Sequence, residues 1–112
     1  MDKLQEWENR AIEAQRKAAQ AYARLLELAE HSDSGQVRTV ATFLASTFNG
    51  SDFPFDLFDL RTLDVGLADD ALACIDALRW GKADLYKLVP DGEARVAQVI
   101  KDWGLQPRPV SP

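Results

Sequence analysis

From Lys3 to Glu30 the chain has no glycine and no proline. Ala, Glu, Gln, Arg, Lys and Leu fill most of this stretch, and these are the strong helix formers. Asp2 stands where a helix N-cap is needed. The stretch predicts one unbroken helix, about 42 Å long at 1.5 Å per residue. A compact domain of this chain length has a radius of gyration near 13 Å. The helix is therefore expected to outrun the domain it belongs to.

Its apolar spacing narrows the expectation. Leu4, Trp7, Ala11, Ala14, Ala18, Ala21, Leu25 and Leu28 alternate by three and four, a heptad seam over four repeats. The middle of the seam is all alanine, which lets two helix backbones approach closely. Lys3, Arg10, Lys17 and Arg24 flank it and would repel one another across an antiparallel pair of identical helices. The two halves also differ. Over 18–29 apolar residues occur nearly all round, as in a helix buried on several sides. Over 4–14 the stripe is narrow. The expected organisation is a projecting segment over 1–17, a helical domain over 18–104, and a disordered Pro-rich tail over 105–112.

The rest of the chain reads as short helices. The turn at 31–35 leads into a helix whose face is Val37, Val40, Ala41, Leu44 and Phe48. Asp33 or Ser34 is the expected cap, with Gln36 spaced from Asp33 as in a capping box. Asp56 is placed to cap a short piece over 57–63, and Asp64 a helix over 65–80. The core face of that helix is expected at Leu67 or Ala68, Ala71, Leu72, Ile75 and Leu78, with Trp80 a further candidate. Gly81 is a left-handed stop. Residues 82–90 fit either a helical turn or an extended piece. Asp91 is the expected cap of a last helix over 92–103, with Val96, Val99, Ile100 and Trp103 facing inward. The fold class is therefore all-α, a compact bundle of four to five helices with a long N-terminal helix.

Composition excludes several functions. The chain carries one cysteine and one histidine in 112 residues, too few for the usual zinc sites. Cys74 lies in an apolar run and reads as a small buried hydrophobe. No phosphate-binding glycine loop and no G-x-S-x-G nucleophile turn is present. Neither a cofactor, a metal nor catalytic residues are expected, and a small enzyme is the least supported reading. No apolar run reaches the length of a membrane span. Asp2, Glu6 and Glu8 do not suit a secretory signal. A reducing, cytoplasmic location fits the single thiol. The net charge of -5 argues against binding by phosphate neutralisation. A nucleic-acid-associated regulator with a helix-turn-helix-like segment over 37–63 is the alternative, weakened by Asp56 and Asp59 where basic residues would be needed.

Two candidate surfaces remain. The first is the helix seam at Leu4, Trp7, Ala11, Ala14 and Ala18, expected to form a homodimer. The second is Phe53, Phe55, Asp56 and Asp59, an aromatic and acidic loop region that either seals the core or meets an unidentified protein partner.

The stretch from Ser34 to Trp103 resembles an uncharacterised proteobacterial domain family found on plasmids and integrative elements. The matching elements are Ser34-Gly35-Gln36, then Val40-Ala41-Thr42-Phe43-Leu44, then Phe55-Asp56-Leu57, then Leu63-Asp64 leading to Ala68-Asp69-Asp70, and the terminal Trp103. Ser34 stands where the family usually has Thr, and Ser46-Thr47 where aromatic residues often precede the Asn. The resemblance implies a small helical domain of unknown function and assigns no catalytic residue. Taken together, the expectation is a non-enzymatic interaction domain that self-associates through its first helix, an accessory or regulatory protein of a mobile element.

Overall fold

The computed structural model describes residues 2–109. Four α-helices follow one another: α1 Lys3–His31, α2 Gly35–Phe48, α3 Val65–Leu78 and α4 Gly92–Asp102. A 3-10 helix, Leu57–Thr62, lies between α2 and α3, and a second, Leu85–Leu88, between α3 and α4. No strand occurs among the described residues. The all-α bundle with a long first helix is the architecture the sequence predicts. The domain measures 48 × 36 × 29 Å, its long dimension close to the length of α1 alone.

Local chemistry sets most element ends. Asp2 Oδ1 accepts the Gln5 amide at 2.8 Å and starts α1. Asp56 Oδ1 accepts the Phe58 amide at 3.0 Å, and Asp64 Oδ1 the Leu67 amide at 2.9 Å. Each carboxylate satisfies an amide that the first helical turn leaves without an internal partner. Gly81 and Gly104 follow α3 and α4 with φ of +64°, the left-handed conformation that glycine adopts without strain.

Two expected caps are built differently. Ser34 occupies the N-cap of α2 but its side chain makes no cap bond. Gln36 does not close a capping box. Its Oε1 accepts the Asp64 amide at 3.0 Å, tying the start of α2 to the start of α3. Asp91 occupies the N-cap of α4 without a side-chain cap bond, in the left-handed region at φ 55°. Next to it, a Cβ on Gly92 would collide with the Tyr86 carbonyl oxygen, so α4 can lie this close to the second 3-10 helix only with glycine at that position.

α1 is the spine: α2, α3, α4 and the second 3-10 helix all pack on it. Tyr22, Leu25 and Leu26 are fully buried at its centre. Tyr22 shares a 2.7 Å hydrogen bond with Thr47, whose hydroxyl donates to the Leu44 carbonyl. Thr47 has one proton to give, so Tyr22 is the donor and Thr47 the acceptor. Burial pushes the Tyr22 phenol up to about 12 and outweighs the Thr47 contact, so the phenol keeps its proton.

α4 latches onto the far end of α1. Arg95 forms two parallel hydrogen bonds to Glu30, at 3.0 and 2.7 Å. Trp103 Nε1 donates to the Ala29 carbonyl at 2.9 Å, satisfying one of the carbonyls at the end of α1. Beyond α4, Leu105 packs on the core and the Arg108 amide donates to the Asp52 carbonyl at 2.6 Å. Of the tail expected over 105–112, residues 110–112 lie outside the described residues.

The glycine geometry gives a paired test. Gly92→Ala should destabilise the domain by several kcal/mol, because a backbone oxygen stands in the way and cannot yield as a flexible side chain would. Gly35→Ala meets nothing within 4 Å and should be neutral or stabilising by up to about 1 kcal/mol. Urea unfolding followed by circular dichroism separates the two. The latch gives a pH test. Hydrogen bonding from Arg95 holds the Glu30 carboxyl below the usual carboxylate range. A lowered folded value adds stability at neutral pH that disappears as pH falls through it. The difference in unfolding free energy between wild type and Glu30→Gln should be about 1 kcal/mol at neutral pH and shrink towards zero under acid.

Candidate interaction surface

The seam of α1 lies mostly inside the molecule. Ala11, Ala14 and Ala18, three of the five residues expected to meet a second copy, are buried at 1%, 6% and 0% exposure. The helix that covers this side of α1 is α3, its most extensive packing partner. Ala71, Cys74 and Ala77 are the buried residues of α3. The alanine stripe does what small side chains permit and brings two helices close, but the second helix belongs to the same chain. The segment that projects is correspondingly shorter than 1–17, since burial begins at Ala11.

The same packing corrects the expected face of α3. Leu72 and Leu78 are exposed, while the small residues turn inward. A stripe of alanines on α1 can approach closely only another stripe of small side chains, so the leucines are displaced to the flanks.

The charges beside the seam follow. Arg24 donates twice to Asp70, at 3.1 and 2.7 Å. The Arg10 guanidinium lies 5.3 Å from the Trp80 ring centroid, and Arg79 lies 4.8 Å from it. Lys82 reaches Glu8 at 2.7 Å. Lys17 and Asp76 line one shallow recess with Trp80. Later residues of this stretch thus meet earlier residues of α1, so α3 runs antiparallel to it. Three of the four flanking basic residues, Arg10, Lys17 and Arg24, thus lie beside aspartates or an aromatic ring of the same chain. The Trp80 indole N–H is buried without a partner among the described residues, and nothing in the structure explains it.

Leu4 and Trp7 are placed otherwise. They continue the buried stripe of α1 beyond the level where Lys82 meets Glu8, and they are 73% and 46% exposed. Among the described residues, no helix packs over them as α3 packs over Ala14 and Ala18.

The second candidate surface divides. Phe55 is half-buried, edge-on to Phe43 with ring centroids 5.4 Å apart. Phe53 is half-buried, Asp56 is exposed and caps the first 3-10 helix, and Asp59 is half-buried within it. The exposed apolar residues here are Leu57 and Phe58, with Arg61 lying 5.3 Å from the Phe58 ring. The signal for them was the crowding of Phe55, Leu57, Phe58 and Leu60 into six positions, more than one side of a tight 3-10 turn can bury. Five of the seven aspartates between 49 and 76 have local side-chain partners: Asp56 and Asp64 as caps, Asp52 with Asn49, Asp70 with Arg24 and Asp76 with Arg79.

The segment 37–63 holds α2 and a six-residue 3-10 helix, with no second α-helix to enter a groove. Burial raises the Cys74 thiol to about 12, so the sulfur stays protonated and unreactive. No group of three His, Cys, Asp or Glu able to hold a metal occurs among the described residues. None of their helices is long and apolar enough to cross a membrane.

Fold and surface together define a small all-helical domain with an extended first helix. The chain belongs to a family of unknown function (DUF7673), which matches residues 19–104. No curated protein and no solved structure matches it. The family match begins inside α1, so Leu4, Trp7 and the alanines up to Ala18 precede it.

Substitutions separate the two parts of the seam. Ala18→Leu should destabilise the isolated domain by about 1–3 kcal/mol through overpacking against α3. Leu4→Ala should change monomer stability by less than about 0.5 kcal/mol. Thermal unfolding in dilute solution reads both.

Proposed function

We propose that this protein is a non-enzymatic helical interaction domain that self-associates through the first turns of α1. The observation that carries the reading is the continuation of the core stripe into solvent. Leu4 and Trp7 extend the face that α3 covers, beyond the point where α3 ends. Burying a large apolar side chain is worth about 1.5–3 kcal/mol, and a second copy offers the same two residues in return.

The magnitude sets the expected strength. With Ala11, Ala14 and Ala18 already engaged, two large side chains per copy must offset the loss of translational and rotational freedom, about 4 kcal/mol or more. The association is accordingly weak and concentration-dependent. The non-enzymatic part draws on Cys74 and Tyr22, two groups able to react in other settings, which are both buried and held protonated. A cytoplasmic location, which the single thiol fits, and an accessory or regulatory role on a mobile element, which the sequence resemblance suggests, are part of the proposal.

Light scattering after size exclusion, repeated over a concentration series reaching hundreds of micromolar, tests the reading. The average mass should rise with concentration for the wild type and stay at that of the monomer for Trp7→Ala. A wild type that is strictly monomeric throughout, or a mass curve indifferent to Trp7→Ala, overturns it.

A further inference from the structure

We infer that the two copies meet antiparallel, arm against arm, with their folded bodies at opposite ends of the pair. The inference rests on the self-association proposed above and settles its orientation by exclusion of space. The side of α1 that bears Leu4 and Trp7 also bears Ala11, Ala14 and Ala18, and there the neighbouring volume is filled by α3. A parallel partner helix lying on Leu4 and Trp7 would have to continue alongside Ala11 and Ala14, through the position of α3. An antiparallel partner leaves in the other direction. Its own body begins only past its own Trp7, away from the first copy.

The contact is then continuous with an interface already present in each chain. α3 runs antiparallel to α1 and stops near the level of Glu8 and Arg10, where Lys82 and Trp80 meet them. The partner arm enters along the same face of α1, in the same sense as α3, and takes up the stripe where α3 leaves it. Leu4 of one copy falls opposite Trp7 of the other, as a and d positions do in an antiparallel pair, and the twofold axis passes between them. The basic flank no longer argues against this orientation. Arg24 is paired with Asp70, Arg10 lies on the Trp80 ring, and only Lys3 of the four stands beyond α3.

Distances between spin labels decide the orientation. Gln5→Cys and Gln20→Cys are each labelled on an exposed side of α1, and the fully buried native Cys74 does not react. Pulsed dipolar spectroscopy is run at concentrations where light scattering shows the dimer. In the antiparallel pair each residue of displacement from the axis adds about 3 Å, twice the helical rise. With the axis between residues 4 and 7, the axial separation is about 2 Å at residue 5 and about 44 Å at residue 20. Combined at right angles with a lateral spacing of about 10 Å or more, this should lengthen the measured separation by about 30 Å. Equal separations at the two sites, or a gain of less than half that value, overturn the antiparallel arrangement while leaving self-association intact. No dipolar coupling at either site, together with a monomeric mass, overturns self-association and the orientation with it.

Discussion

The close packing of α1 on α3 is the contact on which the rest of the structure depends. It joins two stripes of small residues, Ala11, Ala14, Ala18 and Ala21 on one helix and Ala71, Cys74 and Ala77 on the other. Small side chains contribute little transfer free energy each. Their value is geometric, because backbones that approach closely make many dispersion contacts at once. They also lose almost no side-chain entropy on burial. The large side chains fill the rest of the core: Leu25 continues the stripe on α1 and Tyr22 and Leu26 lie beside it, all fully buried.

Several surface features follow from that contact. Once α3 lies antiparallel along α1, Arg24 meets Asp70, Arg10 meets Trp80 and Glu8 meets Lys82. These contacts are exposed and add modestly to stability. Their effect is on register, since each holds one level of the two helices. The Gln36–Asp64 contact fixes the other end. It joins two sequence elements that the family resemblance singled out separately, Ser34-Gly35-Gln36 and Leu63-Asp64, and gives both one structural purpose: starting α3 beside the start of α2.

The family match begins inside α1, well after the projecting turns. Residues 19–104 contain α2, α3, α4 and the second half of α1, while the alanines up to Ala18 that cover the later part of α3 precede the match. This chain therefore carries a helical extension that first completes the packing of α3 and then runs past it. The overhanging turns are the place where a core-like stripe meets solvent, and the functional proposal stands on them.

The sequence by itself determined the elements. Unbroken helix formers over 3–30, aspartates at positions 2, 56 and 64, and glycines at 81 and 104 act within one or two turns, and such local chemistry is legible without a fold. It also determined that the alanine stripe must admit a close neighbour. Only the tertiary structure decided which neighbour, because a seam of small residues specifies a distance and not a partner. It likewise decided that Leu72 and Leu78 face out while Cys74 and Ala77 face in. Periodicity ranks residues by hydrophobicity, whereas the helix beside them selects by size. The need for glycine at position 92 was equally invisible in sequence, since the obstacle is a carbonyl oxygen six residues earlier, brought close only by the packing of α4. Of the five seam residues expected at an interface, Leu4 and Trp7 alone remain on the surface, for the physical reason that α3 is shorter than α1.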